Sequence, residues 1–123
     1  MARFCPLFSG SSGNSVYIAS SDSAVLVDAG RSCKQLMAAM DARGIDPRAL
    51  LAVLVTHEHT DHISGLRVLL KKLRIPLYAT AEVLERLRGD GVIAPDQEAF
   101  TVEAGRPFSV GSLVIDGFDT PHD

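Results

Sequence analysis

The spacing of apolar residues along the chain changes period several times, and each change marks an element. A strand-like run through Phe4 and Phe8 leads into Ser9-Gly10-Ser11-Ser12-Gly13-Asn14-Ser15, a cluster of small residues that predicts a turn or loop. Residues 16–19 and 24–27 are short apolar runs separated by Ser20-Ser21-Asp22-Ser23, the pattern of a hairpin, and Asp28-Ala29-Gly30 closes it. From Ser32 the period becomes helical. Cys33, Leu36, Met37 and Met40 fall at i, i+3, i+4 and i+7, with Ser32 and Gln35 as a capping box and Gly44 as the stop.

Residues 50–55 form an uninterrupted apolar run, expected of a strand covered on both faces. His57-Glu58-His59-Thr60-Asp61-His62 follows at once. Ile63, Leu66, Leu70 and Leu73 then share one face of a second helix. Residues 75–79 predict a strand, 80–88 a short helix, and two more strands are expected around Phe108 and over 113–118. The alternation of strands and helices predicts an α/β fold, and no internal repeat interrupts it.

Composition narrows the class without naming a function. The chain has 123 residues, 46% of them hydrophobic and 22% charged, as in one modest globular domain. A net charge of -3 excludes a whole-protein attraction to nucleic acid, so phosphate recognition would need a local patch or metals. Cys5 and Cys33 form no CxxC pair and are expected to be reduced thiols. The apolar run before the Ser/Gly cluster is too short for a signal peptide, and no segment reaches membrane-spanning length, so a cytoplasmic protein with no membrane partner is expected.

The candidate chemistry lies in residues 57–62, where three imidazoles and two carboxylates sit just beyond a buried strand. A metal site needs several lone-pair donors converging on one ion, and this segment supplies them. His57 and His59, two apart in an extended stretch, point to the same side, whereas Asp61 and His62 lie past the bend and can reach a second ion. The chain has only four histidines, and the fourth, His122, also ends a strand-like run. An exposed polar loop rich in histidine is the alternative, and the spacing argues against it.

His-x-His-x-Asp-His after a buried strand resembles the signature of the metallo-β-lactamase-fold hydrolase superfamily, and Leu26-Val27-Asp28-Ala29-Gly30 resembles its first motif. The Ser9–Ser15 cluster and Thr120-Pro121-His122-Asp123 are similar to the WalJ/YycJ-type, nuclease-like branch. The resemblance implies that His57, His59 and His122 hold one divalent metal and that Asp61 and His62 hold the other. It implies zinc foremost, with manganese or iron as alternatives. Asp28 would brace the metal loop, although a turn-forming Asp before Gly30 is an equal reading.

The family's fold is an α/β αββα sandwich of two similar halves, and its pattern continues past the His122 position to a bridging Asp and a final His. Residues 1–123 are therefore expected to be the N-terminal half of one such domain, with helices on one side of a single sheet. The other face would await the C-terminal half or self-association.

The function implied first is metal-dependent, exonuclease-like hydrolysis of phosphodiesters in nucleic acid, with metal-activated water as nucleophile and Asp61 as proton acceptor. Arg67, Lys71 and Arg74, at i, i+4 and i+7, are compatible with phosphate binding, and a solvated helix face is the alternative. Hydrolysis of a small thioester, lactone or lactam is the second reading, because the same metal loop serves those reactions. An inactive metal-binding fragment or interaction module is the third.

Overall fold

The computed structural model describes residues 3–10 and 13–116. Six strands form one sheet in chain order: β1 (Arg3–Phe8), β2 (Ser15–Ala19), β3 (Ala24–Val27), β4 (Ala52–Leu54), β5 (Leu77–Ala79) and β6 (Ala99–Thr101). The first two pairings are antiparallel, as the hairpin pattern predicts, and β3 to β6 run parallel. Parallel neighbours need crossovers. These are α1 (Cys33–Ala42), the pair α2 (Thr60–Ile63) and α3 (Leu66–Leu73), and α4 (Ala81–Gly89). A separate antiparallel hairpin, β7 (Phe108–Val110) and β8 (Leu113–Ile115), follows.

Strand alternation divides the core into two layers. Leu26, Val53, Val55, Leu77 and Ala79 face the helices, where Leu36, Met40, Leu66, Leu69, Val83 and Leu87 complete the larger cluster. The intervening Val25, Ala52 and Leu54 face the other way, against Val110 and Leu113 of the β7–β8 hairpin. A one-residue slip would exchange the two sets, so the register is strongly specified. Each fully buried Leu or Val contributes roughly 1.5–3 kcal/mol relative to exposure.

Several expectations hold in detail. Ser32 forms the capping box with Gln35, Cys33, Leu36 and Met40 are buried, and Gly44 follows the helix end at φ 69°. Thr80 caps α4. Cys5 and Cys33 are not bridged to each other.

Three expectations need correction. The helix after His62 is broken, because Ser64 and Gly65 separate α2 from α3. Strand β6 has no counterpart in the sequence reading: its short Ala-Phe-Thr segment shows little alternation and is recruited by pairing with β5. The second face of the sheet is not left bare either, since the chain's own hairpin covers its centre. What stays open there is peripheral: Phe4 is 68% exposed beside Ile18, and Phe100 is 44% exposed beside Tyr78.

Candidate metal centre

The parallel strands end together, and their C-terminal ends carry the candidate chemistry. Asp28 follows β3 directly and takes φ 64°, the left-handed region that costs most residues about 1–2 kcal/mol. That turn directs the buried carboxylate toward the loop after β4. Its Oδ1 accepts the Thr56 backbone N–H at 2.8 Å. Its Oδ2 accepts the Thr56 hydroxyl at 2.6 Å and lies 2.8 Å from His62 Nδ1. Asp28 is thus a turn residue whose carboxylate also ties the loop after β4 to the helix that carries His62.

The donor count then settles the imidazole tautomers. Thr56 has one hydroxyl proton, and it goes to Asp28, so the 2.7 Å contact from Thr56 Oγ1 to His57 Nδ1 requires that nitrogen to donate. His62 Nδ1 faces a carboxylate that only accepts, so it donates as well. Each ring thus donates from Nδ1, and in its neutral form keeps the lone pair on Nε2. A histidine whose other nitrogen is held by a carboxylate is the usual supporting arrangement at a metal.

The rings themselves are close. His57 and His62 have centroids 4.2 Å apart, and His57 and His59 stand edge to face at 6.2 Å. With Zn–N bonds near 2.0–2.1 Å, two imidazoles on one tetrahedral ion place their centroids roughly 5–6 Å apart, and these two separations bracket that range. One donor atom from each of Asp28, His57 and His62 lies within 4.8 Å of the others. Asp28 and Thr56 occupy the Nδ1 side, so the rings offer an ion their Nε2 side, a donor type that suits zinc or iron. His59 is exposed and sits at the N-terminal boundary of α2, so the extended-to-helical bend falls between it and Asp61 as the spacing predicts. The Asp61 side chain and all of His122 lie outside what the structure describes, and so do Asp119 to Asp123. Glu58 is half-buried and Thr60 exposed.

A second set of contacts knits the surrounding loops. The Ala29 N–H donates to the His62 carbonyl at 2.7 Å, and the Gly65 N–H to the Ala29 carbonyl at 2.8 Å. The Ser64 hydroxyl donates to the Gly30 carbonyl. From the other side, the Gly30 N–H donates to the Asn14 carbonyl at 2.9 Å, and the Ser15 hydroxyl to the Asp28 carbonyl at 2.8 Å. The small-residue loop near the start of the chain is therefore tied to the centre. Gly65 is required there, because a Cβ would collide with the Arg31 carbonyl.

Thr56, Ser15 and Ser64 were not singled out from sequence. Thr56 had one signal, a hydroxyl residue between the buried strand and the first histidine. The basic triad Arg67, Lys71 and Arg74 does not converge on the imidazoles: it lines a cleft of about 500 Å³ along α3, floored by Leu70 and Ile75, with Asp96 and Glu98 opposite. Arg74 takes φ 53° just past the helix end.

Comparison with known proteins agrees with this architecture. A family model described as the metallo-beta-lactamase superfamily matches residues 9–121. The chain is 36% identical over 124 aligned residues to exodeoxyribonuclease YycJ of Bacillus anthracis, and 37% identical to exodeoxyribonuclease WalJ of Streptococcus pneumoniae. Each alignment covers 98% of this chain and 46% of the relative, so the chain spans about half the length of the curated relatives it matches. Among solved structures, a metallo-beta-lactamase from Cronobacter sakazakii superposes with TM-score 0.76 at 17% identity, covering 90% of this chain and 48% of that one. The Rm3 metallo-beta-lactamase superposes with TM-score 0.71 at 22% identity, covering 92% and 46%. At those identities the superpositions establish the fold alone.

Proposed function

Because the chain belongs to the metallo-beta-lactamase superfamily, we propose that it forms the metal-binding half of a hydrolase that cleaves phosphodiesters in nucleic acid. The observation that carries this reading is the pair of imidazoles whose Nδ1 atoms donate to Thr56 and Asp28, within a match to two exodeoxyribonucleases that covers 98% of the chain. His57, His59 and His122 would hold one divalent ion, and Asp61 and His62 the other. Zinc is the first choice for three imidazoles, with manganese or iron next. When bound, such ions lower the pKa of water toward neutrality and offset charge on the phosphate oxygens.

The chain's own residues supply orientation and proton handling. Asp28 fixes the ring of His62 and, through the Thr56 hydroxyl, that of His57. Asp61, at the start of α2, is assigned to accept a proton from the attacking water. The exposed Arg67, Lys71 and Arg74 contact phosphates away from the cleaved bond, along the cleft beside α3. Because the match covers 46% of each nuclease relative, the rest of the two-metal site is assigned to a second half of the fold, joined in one polypeptide or supplied by association. Among the described residues no helix is long and apolar enough to cross a membrane, and a cytoplasmic enzyme is the setting proposed.

The test is nuclease activity of the full-length protein on single- and double-stranded DNA with added manganese or zinc. Activity that disappears in Asp61→Ala, with metal content reduced in the His57→Ala/His59→Ala variant, supports the reading. Turnover of thioesters, lactones or lactams but not of nucleic acid would replace it. Unchanged metal stoichiometry in the double-histidine variant would end it.

A further inference from the structure

We infer that Ser15 is a positioning residue for the metal centre. Its hydroxyl holds the peptide unit between Asp28 and Ala29 in the orientation that presents the His62 ring to an ion. The inference rests on the metal-binding part of the reading above and adds a residue that lies outside the histidine motif.

Asp28 stands where the sheet stops. Pairing of β2 with β3 ends at Val16 and Val27, and the next residue, Asp28, turns out of the strand at φ 64°. That left-handed conformation is costly for a residue with a side chain and persists only where its surroundings hold it. Both backbone polar groups of Asp28 are held. The N–H donates to the Leu54 carbonyl at 2.7 Å, and the carbonyl accepts the Ser15 hydroxyl at 2.8 Å. The first bond joins backbone to backbone and does not depend on side-chain identity. The second needs a hydroxyl at residue 15.

The peptide unit that follows Asp28 is pinned at both ends. Its oxygen is the carbonyl that Ser15 holds, and its hydrogen is on Ala29, which donates to the His62 carbonyl at 2.7 Å. Rotation of that unit would break both bonds at once. His62 is thus tied to this turn twice. Its backbone is tied through the Ala29 N–H, and its ring through Nδ1, 2.8 Å from Asp28 Oδ2. Releasing the peptide loosens both ties, because the donor to the His62 carbonyl turns away and the carboxylate shifts with the backbone that carries it. His57 is reached less directly, through the Thr56 hydroxyl.

Ser15 suits this role because the sheet fixes it. It pairs with Phe8 of β1, just past the irregularity between Pro6 and Phe8, and is fully buried. The carbonyl of the preceding Asn14 accepts the Gly30 N–H at 2.9 Å, so two consecutive residues grip the 28–30 turn. Asp28 is buried as well, and a buried carbonyl that loses its donor is costly to leave unmet. Ser64, which donates to the Gly30 carbonyl, is exposed, where water can take its place. Ser23 offers the internal comparison. It is buried too, but it bonds Asp22 and Ser112 beside the start of β3, the end opposite Asp28.

The experiment uses the full-length protein freed of metal and the variants Ser15→Ala, Ser15→Cys and Ser23→Ala. Proton–nitrogen correlation spectra of the imidazoles and titration with zinc are the two readouts. In Ser15→Ala the His62 Nδ1 signal should move from its parent position by more than that of His57. Zinc affinity should fall about 10-fold, the lower end of the range for removing a residue that supports a ligand. Ser15→Cys keeps the size but offers only a weak donor, so both readouts should lie between parent and Ser15→Ala. If Ser15→Ala does not fold, the cysteine variant decides by the same readouts. Ser23→Ala should lower the melting temperature while leaving the His62 signal and zinc affinity at their parent values. Parent-like His62 signals and zinc affinity in the Ser15 variants would overturn the inference and leave the metal reading intact. Equal losses of zinc affinity in Ser15→Ala and Ser23→Ala would overturn it too, because general destabilisation would then account for the effect. A parent protein that binds no zinc would remove the metal reading and the role of Ser15 together.

Discussion

Asp28 Oδ2 lies 2.8 Å from His62 Nδ1, joining the residue that follows β3 to one 34 positions on, in the helix beyond the neighbouring parallel strand β4. The same oxygen accepts the Thr56 hydroxyl, so one carboxylate sets the tautomer of two histidines. Replacing Asp28 with Ala should leave the Thr56 N–H, its hydroxyl and His62 Nδ1 without their acceptor. The metal-free protein should lose roughly 2–4 kcal/mol, since each unsatisfied buried group costs about 1–3. Divalent metal affinity should fall about 10- to 100-fold, the usual effect of removing a supporting carboxylate. Chemical denaturation and zinc titration check the two numbers separately; equal metal affinity in parent and variant would deny Asp28 its bracing role.

Thr56→Val keeps shape and strand preference but deletes the hydroxyl that links His57 to Asp28. His57 can then turn or change tautomer, whereas His62 keeps its carboxylate. Metal affinity should fall less than in Asp28→Ala, and stability by about 1 kcal/mol, one net hydrogen bond. Proton–nitrogen correlation spectra of the imidazoles should show His57 altered and His62 retained. Altered signals from both rings would mean that the relay is not as drawn.

Gly65→Ala should be costly although it adds one methyl group. The new Cβ meets the carbonyl of Arg31, and neither backbone can retreat while the Gly65 N–H is bound to Ala29. A loss of about 1–3 kcal/mol is expected, the usual range for overpacking. Gly89→Ala, where a Cβ meets nothing within 4 Å, is the control and should be near neutral. Similar melting temperatures for the two variants would contradict the close approach seen here.

The β7–β8 hairpin is latched to the β2–β3 turn by serines and one acid. Ser112 Oγ donates to Asp22 Oδ1, the Ser112 N–H donates to Ser23 Oγ at 2.9 Å, and Ser20 Oγ lies 2.8 Å from Ser112 Oγ. The hydrogen bond from Ser112, followed by that from Ser23, holds the Asp22 carboxyl below its ordinary value of 3.8. A lowered folded-state pKa contributes stability above the ordinary value and loses it as pH falls through the folded one. Hairpin amides should therefore lose exchange protection, relative to the intrinsic rate at each pH, on acidification below about pH 4, and Asp22→Asn should remove that step. An identical acid response in the variant would place its origin elsewhere.

Much of this was legible locally. The Ser32–Gln35 box, the helical face of Cys33, Leu36 and Met40, and the apolar run over residues 50–55 depend on neighbours a few residues away; the first two appear as read, and the third holds β4 over Ala52–Leu54. Local pattern could not reveal β6, whose Ala-Phe-Thr segment becomes a strand only because β5 offers it an open edge. Nor could it reveal the break at Gly65, where apolar spacing continues across a contact with Arg31 that forbids a side chain.

For the candidate site the division is sharper. The sequence alone picked out residues 57–62 as candidate metal ligands, because imidazoles and carboxylates so densely spaced after a buried strand have few other uses. It determined that Asp28 sits at a turn, and left open whether that turn had a second purpose. Only the tertiary structure decided that the carboxylate reaches Thr56 and His62, because parallel pairing of β3 with β4 brings their C-terminal ends side by side. It also gathered Arg67, Lys71 and Arg74 along a cleft that the imidazoles do not line. The physical reason is reach: hydrogen bonds act over about 3 Å, so residues 28 or 34 apart in the chain meet only where the sheet and its crossovers fold them together.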